Sequence, residues 1–539
     1  MGKKENSNTS IQYYESSDEE GEEKFFEELE HPDGIPHPRC CTFLGFDVYP
    51  WFILCAVCLI TFGSYWVFDT PGAIYTQLRL WFGPSTYTQS KNLLLYSVYS
   101  YPNVILAFFG GFIIDRVTGV RIGAILFCSL VLTGQTIFAF AVQIKVYILA
   151  VVGRFVFGLG GESLTVAQNT FCARWAPEGL LALWFGIVVS CSRVGSSVNF
   201  VVTPKLAGVP RVGVPLSVWT GTLACCVSMT ACCTAAALDF YGRNRIKKAT
   251  NEAPPQLTGV LKFKPPVWVL FLICVFFYGA VLTFYTVASN IMQNTGYLYS
   301  AETASALIAI PNLVAIGGCP YFGWFVDKNG RALFFLMFAS LMLVVTHVGF
   351  LGNALEIWLI DPIPLLIWLG IAYSLGAASM WPIVSVAVPP KLVGTAYGAM
   401  SAIQNLGLAV FPQIVGSLGD NFPGKRGYVY QLMFFIFVAL VAALLAFINV
   451  FLDKKFTHGK MNSSGDELAR INAKMAKAEA GEDVFSNDDE GDSDSDNDSD
   501  FESEALLRVQ VKPRTETVIR YHYMSRLGFN PHHGSARET

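Results

Sequence analysis

The sequence predicts an all-α polytopic membrane protein with twelve transmembrane helices in two six-helix bundles, and three observations carry that expectation. The chain of 539 residues is 53% hydrophobic and 14% charged, and its charges are sorted into blocks. Residues 1–40 carry 4 Lys/Arg and 11 Asp/Glu, residues 41–455 carry 23 and 13, and residues 456–539 carry 10 and 17, so the total of −4 is a cancellation of −7, +10 and −7. Within the middle block, apolar runs recur near the ~20 residues that a helix needs to cross ~30 Å of hydrocarbon. These runs are continuously apolar, not alternating, which excludes a transmembrane β-barrel. A middle block so poor in charge also excludes a soluble enzyme.

Taken in order, the spans are expected near 48–68, 93–114, 121–143, 147–171, 180–203, 214–238, 266–290, 303–326, 332–352, 363–388, 395–417 and 428–452. Residues 41–238 form the first bundle and 266–455 the second, and the basic segment 239–265, with Pro254 and Pro255, reads as the linker between them. Tails 1–40 and 456–539 have the composition of disordered acidic segments. Twelve spans put both tails on one side. Placing them in the cytosol assigns fourteen Lys/Arg to that side against seven opposite, in keeping with the positive-inside rule. No cleavable signal or myristoylation pattern is read at the polar N-terminus. Cys40 and Cys41 are a candidate palmitoylation pair beside span 1. The other cysteines fall inside spans, where a thiol packs as a small hydrophobe, and Cys55-x-x-Cys58 lacks the further ligands zinc needs.

Two internal repeats relate the bundles. GFIIDRVTGVR at 111–121, after span 2, recurs as GWFVDKNGR at 323–331, after span 8. The candidate gate residues are Gly111, Asp115, Arg116, Gly119 and Arg121 in the first copy and Gly323, Asp327, Lys328, Gly330 and Arg331 in the second. Glycine permits close helix approach, and the charges can pair with helix ends across a cytosolic gate. LGGESL at 159–164 aligns with LGAASM at 375–380, and GIVVSCSRVG at 186–195 with GAMSAIQNLG at 398–407. Glu162 thus corresponds to Ala378 and Arg193 to Asn405, so the fold repeats while the charges do not.

Apart from His347, three ionisable residues lie well inside the assigned spans: Arg154, Glu162 and Arg193. Each costs at least ~2.5–3.5 kcal/mol at mid-bilayer, so each needs a partner or a wet cavity. Glu162 and Arg193 fall at matching depths on consecutive antiparallel helices. Either they form an ion pair that fixes helix packing, or they face the central cavity where a carrier's substrate binds, as sites for an amine and a carboxylate. The readings are compatible if the pair closes on itself in an empty cavity. Arg154 suits a structural role on backbone carbonyls, and His347 suits peripheral packing. The second bundle offers uncharged partners: Gln404 and Asn405 in span 11, and Trp381 before Pro382 in span 10. Tyr96 and Tyr99 in span 2 either line the entry or belong to an interfacial aromatic belt.

The G-xxx-D-K-x-G-R spacing after span 8 resembles the signature loop of the major facilitator superfamily. GRFVFGLGGESLTVAQNT at 153–170, SRVGSSVN at 192–199, WPIVSVAVP at 381–389 and GTAYGAMSAIQNLGLA at 394–409 are similar, more closely, to the major facilitator superfamily domain-containing protein 1 family. That resemblance covers the spans and neither tail. It implies a lysosomal dipeptide uniporter that exports proteolysis products, with Glu162 and Arg193 at the peptide's two ends and a glycosylated accessory lysosomal membrane protein as partner. Span 1, lacking the E-xx-E-R cluster of proton-coupled peptide carriers, favours facilitated diffusion. Glu502, Leu506 and Leu507 in the C-tail fit an acidic dileucine signal read by cytosolic adaptor proteins, whereas family members carry theirs in the N-tail. Glycosylation triplets at Asn8, Asn462 and Asn497 fall in the tails and are expected to be unused. Other expected contacts are membrane lipids; no cofactor, metal or nucleic acid is implied, and no nucleophile–base constellation suggests an enzyme. The alternatives are another carrier of small organic solutes (amino acids, organic anions or sugars) and a transporter-like sensor or scaffold.

Overall fold

The computed structural model describes residues 42–43, 46–112, 114, 118–176, 181–242, 260, 263–389, 392–422 and 424–463. The chain divides into two units, Met1–Trp51 and Phe52–Thr539. In the first, Thr42–Phe43 pairs antiparallel with Phe46–Asp47. From Phe52 on, the second holds the bundles, formed by span 1 (the helix Tyr49–Leu59, which begins in the first unit, continued by Phe62–Ala73), span 2 (Gln89–Phe112), span 3 (Gly119–Gln143), span 4 (Tyr147–Trp175), span 5 (Leu181–Gly208) and span 6 (Gly213–Tyr241), then span 7 (Pro265–Asn294), span 8 (Ala301–Leu307 continued by Ala309–Asn329), span 9 (Ala332–Ala354), span 10 (Pro362–Ala387), span 11 (Val393–Asn421) and span 12 (Lys425–Phe456). An additional short helix, Tyr75–Phe82, follows span 1 at the end of the molecule away from the tails.

Ten of these helices are long and apolar enough to cross a membrane by length and composition. The other two, spans 2 and 11, are long enough at 24 and 29 residues but more polar. They pack along each other across the interface between bundles, so their polar residues are turned away from lipid. Outward faces elsewhere are apolar, as with Phe437, Leu444, Phe447 and Phe451 on span 12.

Span 1 departs from a simple rod at two places, and both are repaired by neighbours. At Ile60–Thr61 the ladder is opened by Ser228 of span 6, whose hydroxyl accepts from Gly63 N and donates to Leu59 O, each at 2.8 Å. A side chain inserted between an i carbonyl and its i+4 amide is a recognised cause of kinking. Gln168 Nε2 donates to the neighbouring Val57 O at 2.7 Å, and Thr61 Oγ1 joins Gln168 and Ser192. Further on, Pro71 has no amide to offer Val67 O, which instead accepts from Arg154 at 2.9 Å. Gly72 N donates to Tyr96 Oη at 2.8 Å, and that hydroxyl donates to Asp69 O at 3.3 Å. These groups let the helix continue through Pro71 to Ala73, so Asp69 is a buried residue of span 1 instead of lying at its far end as the sequence suggested. Span 8 is treated alike: Ser190 of span 5 donates to Ile316 O, the carbonyl freed by Pro320, at 3.1 Å.

At the tail end, each bundle buries an aspartate, and both were missed because they stand at span ends. Asp239, fully buried, accepts from Arg121 Nε at 2.5 Å and Trp175 Nε1 at 2.7 Å, with Arg174 at 3.4 Å, tying spans 3, 4 and 6 together. Asp453 accepts from Thr457 Oγ1 at 2.6 Å and Met461 N at 3.1 Å, folding the chain back after span 12. Asn462 then accepts from Arg331 N and Leu333 N, supplying the start of span 9 with a cap. Gly119 and Gly330, with φ of +69° and +64°, meet the backbone demand of the two loop motifs.

Candidate functional site

Arg193 lies midway along span 5 and reaches the other bundle, donating to the Tyr373 hydroxyl of span 10. Its guanidinium stands 4.9 Å from the Tyr373 ring centre and 5.6 Å from that of Tyr65. Among the described residues the ion pairs are Arg121–Asp239, Arg174–Asp239 and Lys425–Glu356, so Arg193 and Glu162 are not paired with each other. The sequence expectation that the pair closes on itself in an empty cavity is therefore not met. The physical reason is that aromatic faces and a phenol hydroxyl already stabilise the cation, leaving donors of its five-donor fork for another acceptor.

Glu162, half-buried on span 4, accepts from Tyr99 Oη of span 2 at 3.4 Å, a long bond that leaves carboxylate lone pairs open. Tyr65 of span 1 lies within electrostatic reach of both Glu162 and Arg193. Asp69, 8% exposed, lies one helical turn beyond Tyr65, against the Ser196 hydroxyl and in the fields of Arg193 and Arg154. Arg154 is 1% exposed; it is held by Val67 O and by the rings of Phe138 and Phe157 at 4.6 and 5.4 Å, and so braces span 1 without facing an open site.

The second bundle contributes an aromatic wall. Tyr373 packs edge-on against Tyr278, whose hydroxyl accepts from Trp381 Nε1 at 2.7 Å. Trp381 stacks on Tyr397, and Tyr397 Oη donates back to Trp381 O at 3.0 Å. Tyr285, one face of span 7 shared with Tyr278, is buried with an unpartnered hydroxyl and lies within reach of Arg193, Tyr373 and Asp69. Buried polar groups are ordinarily paired, so this hydroxyl marks a position for water or ligand. Tyr65, Tyr278, Tyr285, Tyr373 and Tyr397 were absent from the sequence reading, and Asp69 was read only as the far end of span 1; the seven-residue spacing of Tyr278 and Tyr285 was the available signal.

The other residues singled out in the sequence take varied places. Tyr99 meets Glu162, whereas Tyr96 is buried and committed to the span 1 backbone. Gln404 is half-buried with no hydrogen-bond partner among the described residues, and Asn405 is buried, donating to Ser401 O with its own carbonyl unpaired. His347 is packed between Phe284 and Phe435. Among the gate residues Arg121 pairs with Asp239, while a Cβ at Gly323 would meet nothing within 4 Å, so the close approach expected there is not made in this conformation. Gly111 lies in span 2, Lys328 stands 5.3 Å above the Trp324 ring and Arg331 is exposed. Asp115, Arg116, Cys40, Cys41, Asn8, Asn497 and the dileucine residues Glu502, Leu506 and Leu507 lie outside the described residues, as does the side chain of Asp327.

Hydrogen bonds joining the bundles, among the described residues, lie at mid-span or toward the end away from the tails. Asp420 of span 11 accepts from Gln89 N and Ser90 N at the start of span 2, both at 2.9 Å. Gln413 Nε2 donates to Ser97 Oγ at 3.0 Å and Thr76 Oγ1 to Gln293 Oε1 at 2.9 Å. Gly416 is required there: a Cβ on it would stand 2.6 Å from Ser90 Cα.

Residues 57–412 match the family model described as Major Facilitator Superfamily. The chain is 35% identical over 431 residues to the human lysosomal dipeptide transporter MFSD1, covering 78% of this chain and 89% of that protein. It is 30% identical over 429 residues to the protein of that name from Gallus gallus, covering 78% and 89%. Among solved structures, an auto-inhibited peptide transporter of the POT family superposes with a TM-score of 0.56 at 12% identity, over 76% of this chain and 97% of that one. The nucleoside transporter NupG superposes with 0.55 at 10% identity, over 75% and 99%. Those two likenesses show a shared fold alone. The chain belongs to the major facilitator superfamily and, within it, to the MFSD1 family.

Proposed function

We propose that this protein carries dipeptides across the lysosomal membrane to the cytosol by alternating-access uniport, with both tails cytosolic. The observation that supports this most is that Glu162 and Arg193 are not paired with each other, each instead taking a tyrosine hydroxyl as partner, with Tyr65 within electrostatic reach of both. A carboxylate and a guanidinium not paired with each other match the ammonium and carboxylate ends of a short zwitterion, with arginine suited to bidentate capture. Tyr373, Trp381, Gln404 and Asn405 line the second half of the same site in this reading. The contacts of Asp420 and Gln413 with span 2 support a state closed on the luminal side and open toward the tails. The C-tail dileucine and a glycosylated accessory membrane protein belong to this reading as routing signal and partner.

The test is flux into proteoliposomes of a neutral dipeptide, its N-acetylated form, its C-terminal amide, free amino acids and a small organic anion. The free dipeptide should move fastest, with each blocked end slowing it; transport of both blocked forms at the rate of the free dipeptide would sink the assignment. Preferred transport of free amino acids or the anion would favour the broader carrier reading, and no transport at all the sensor reading. A pH gradient should not drive accumulation above equilibrium.

A further inference from the structure

The loops joining spans 3 to 4 and 9 to 10, both at the end away from the tails, are structural copies of each other. Ile144, Lys145, Val146, Tyr147 and Ile148 in one, and Leu355, Glu356, Ile357, Trp358 and Leu359 in the other, follow the same order: apolar, charged, apolar, aromatic, apolar. Lys145 and Glu356 adopt left-handed backbone with φ of +59° and +60°. After each, an amide returns to the carbonyl five residues back, Val146 N to Ala141 O at 3.0 Å and Ile357 N to Gly352 O at 2.9 Å. Glycine usually takes that left-handed position because a side chain there is sterically penalised. Here the side chains have partners: Lys145 Nζ stands 4.1 Å above the Trp81 ring, and Glu356 pairs with Lys425 at 2.5 Å. The aromatic residues are tethered by their polar ends, Tyr147 Oη donating to Lys91 O at 2.8 Å and Trp358 Nε1 to Gly349 O at 3.1 Å, while Trp358 keeps 41% of its surface exposed.

With the charged and aromatic groups engaged, the remaining three positions of each loop are apolar and 38–69% exposed. These rows continue into outward apolar residues of the flanking spans, Phe140 and Val152 beside the first loop and Val348 and Ile363 beside the second. We infer that the two loops are a paired membrane anchor, one per bundle, whose apolar rows insert at the boundary of headgroups and acyl chains in the leaflet away from the tails. Apolar side chains on a turn that is continuous with a lipid-facing surface suit that layer, and the exposed charges beside them, Lys145 over the Trp81 ring and Glu356 paired with Lys425, suit its headgroup side.

Full-length Ile148→Cys and Leu359→Cys proteins, each labelled with an environment-sensitive NBD probe, test this in phosphatidylcholine vesicles with and without bromine on the acyl chains. Unsubstituted protein labelled in parallel supplies the baseline for the exposed native thiols Cys55, Cys226 and Cys233. Both probes should emit toward the blue, lose intensity with brominated chains and resist aqueous iodide. Quenching by iodide and not by bromine would overturn the inference. A probe reached by neither quencher is covered by protein and overturns it too, and a lipid response from one loop alone would overturn the pairing.

Discussion

At corresponding positions the first bundle carries Glu162 and Arg193 where the second carries Ala378 and Asn405, and the aspartates that close the tail ends, Asp239 and Asp453, are paired with arginines in one and with a hydroxyl and an amide in the other. One bundle stabilises its critical positions with ions, the other with aromatic rings and neutral hydrogen bonds. Since both adopt the same six-helix arrangement, the fold does not require the buried charges of span 4 and span 5. Their presence in one half alone makes the site polarised, and the Arg193–Tyr373 contact is where the two kinds of surface meet.

If the charged half recognises the substrate's ends, removing its charges should have the largest effect. Arg193→Ala should lower dipeptide flux on the order of 10–150-fold, the equivalent of about 1.5–3 kcal/mol for a charge-assisted contact, and Glu162→Gln should fall toward the lower end of that range. Each variant should also lose discrimination against the substrate blocked at its own end, Arg193→Ala against the amide and Glu162→Gln against the acetylated form. Wild-type flux in either would remove that residue from the site.

The tail-end aspartates sharpen the contrast through stability. Asp239→Ala should lower unfolding free energy by about 1.5–3 kcal/mol, not the ~3–5 of a wholly buried pair, because Arg121 and Arg174 keep 30% and 33% of their side chains exposed to water. Asp453→Asn keeps an acceptor for Thr457 and Met461 and should cost under about 1.5 kcal/mol. Thermal unfolding in detergent reads both; a larger loss at Asp453 would reverse the comparison.

The smallest changes are expected on the aromatic wall. Tyr373→Phe and Trp381→Phe each delete one hydrogen bond while keeping a ring, so flux should fall by about 2–10-fold, the range of 0.5–1.5 kcal/mol. A loss matching that of Arg193→Ala would place the recognition chemistry in the second bundle instead.

Much of this was legible in the sequence. The length of the apolar runs and the paired loop motifs gave the twelve-span arrangement, and intramembrane cost alone singled out Glu162 and Arg193. What was not legible follows from tertiary rescue. Asp69 reads as the far end of span 1, one residue past the expected 48–68, and Arg154 and Tyr96, distant in sequence, are what keep the helix going beyond it through Pro71. The kink at Ile60–Thr61 has no local cause; Ser228 supplies it from another helix. Tyr65, Tyr278 and Tyr373 were invisible as site residues because tyrosine in an apolar run is equally well explained by packing.

Asp420 has a consequence for the protein at rest. Its carboxylate accepts from the first two amides of a helix belonging to the opposite bundle, so Gln89 N and Ser90 N keep that acceptor only while the two halves are together at that end. Losing such an acceptor costs about 1 kcal/mol, which weights the sealed arrangement roughly fivefold over its alternative. In the proposed orientation an idle carrier is thereby biased to wait with its site turned toward the tails, and each working cycle would begin against that bias.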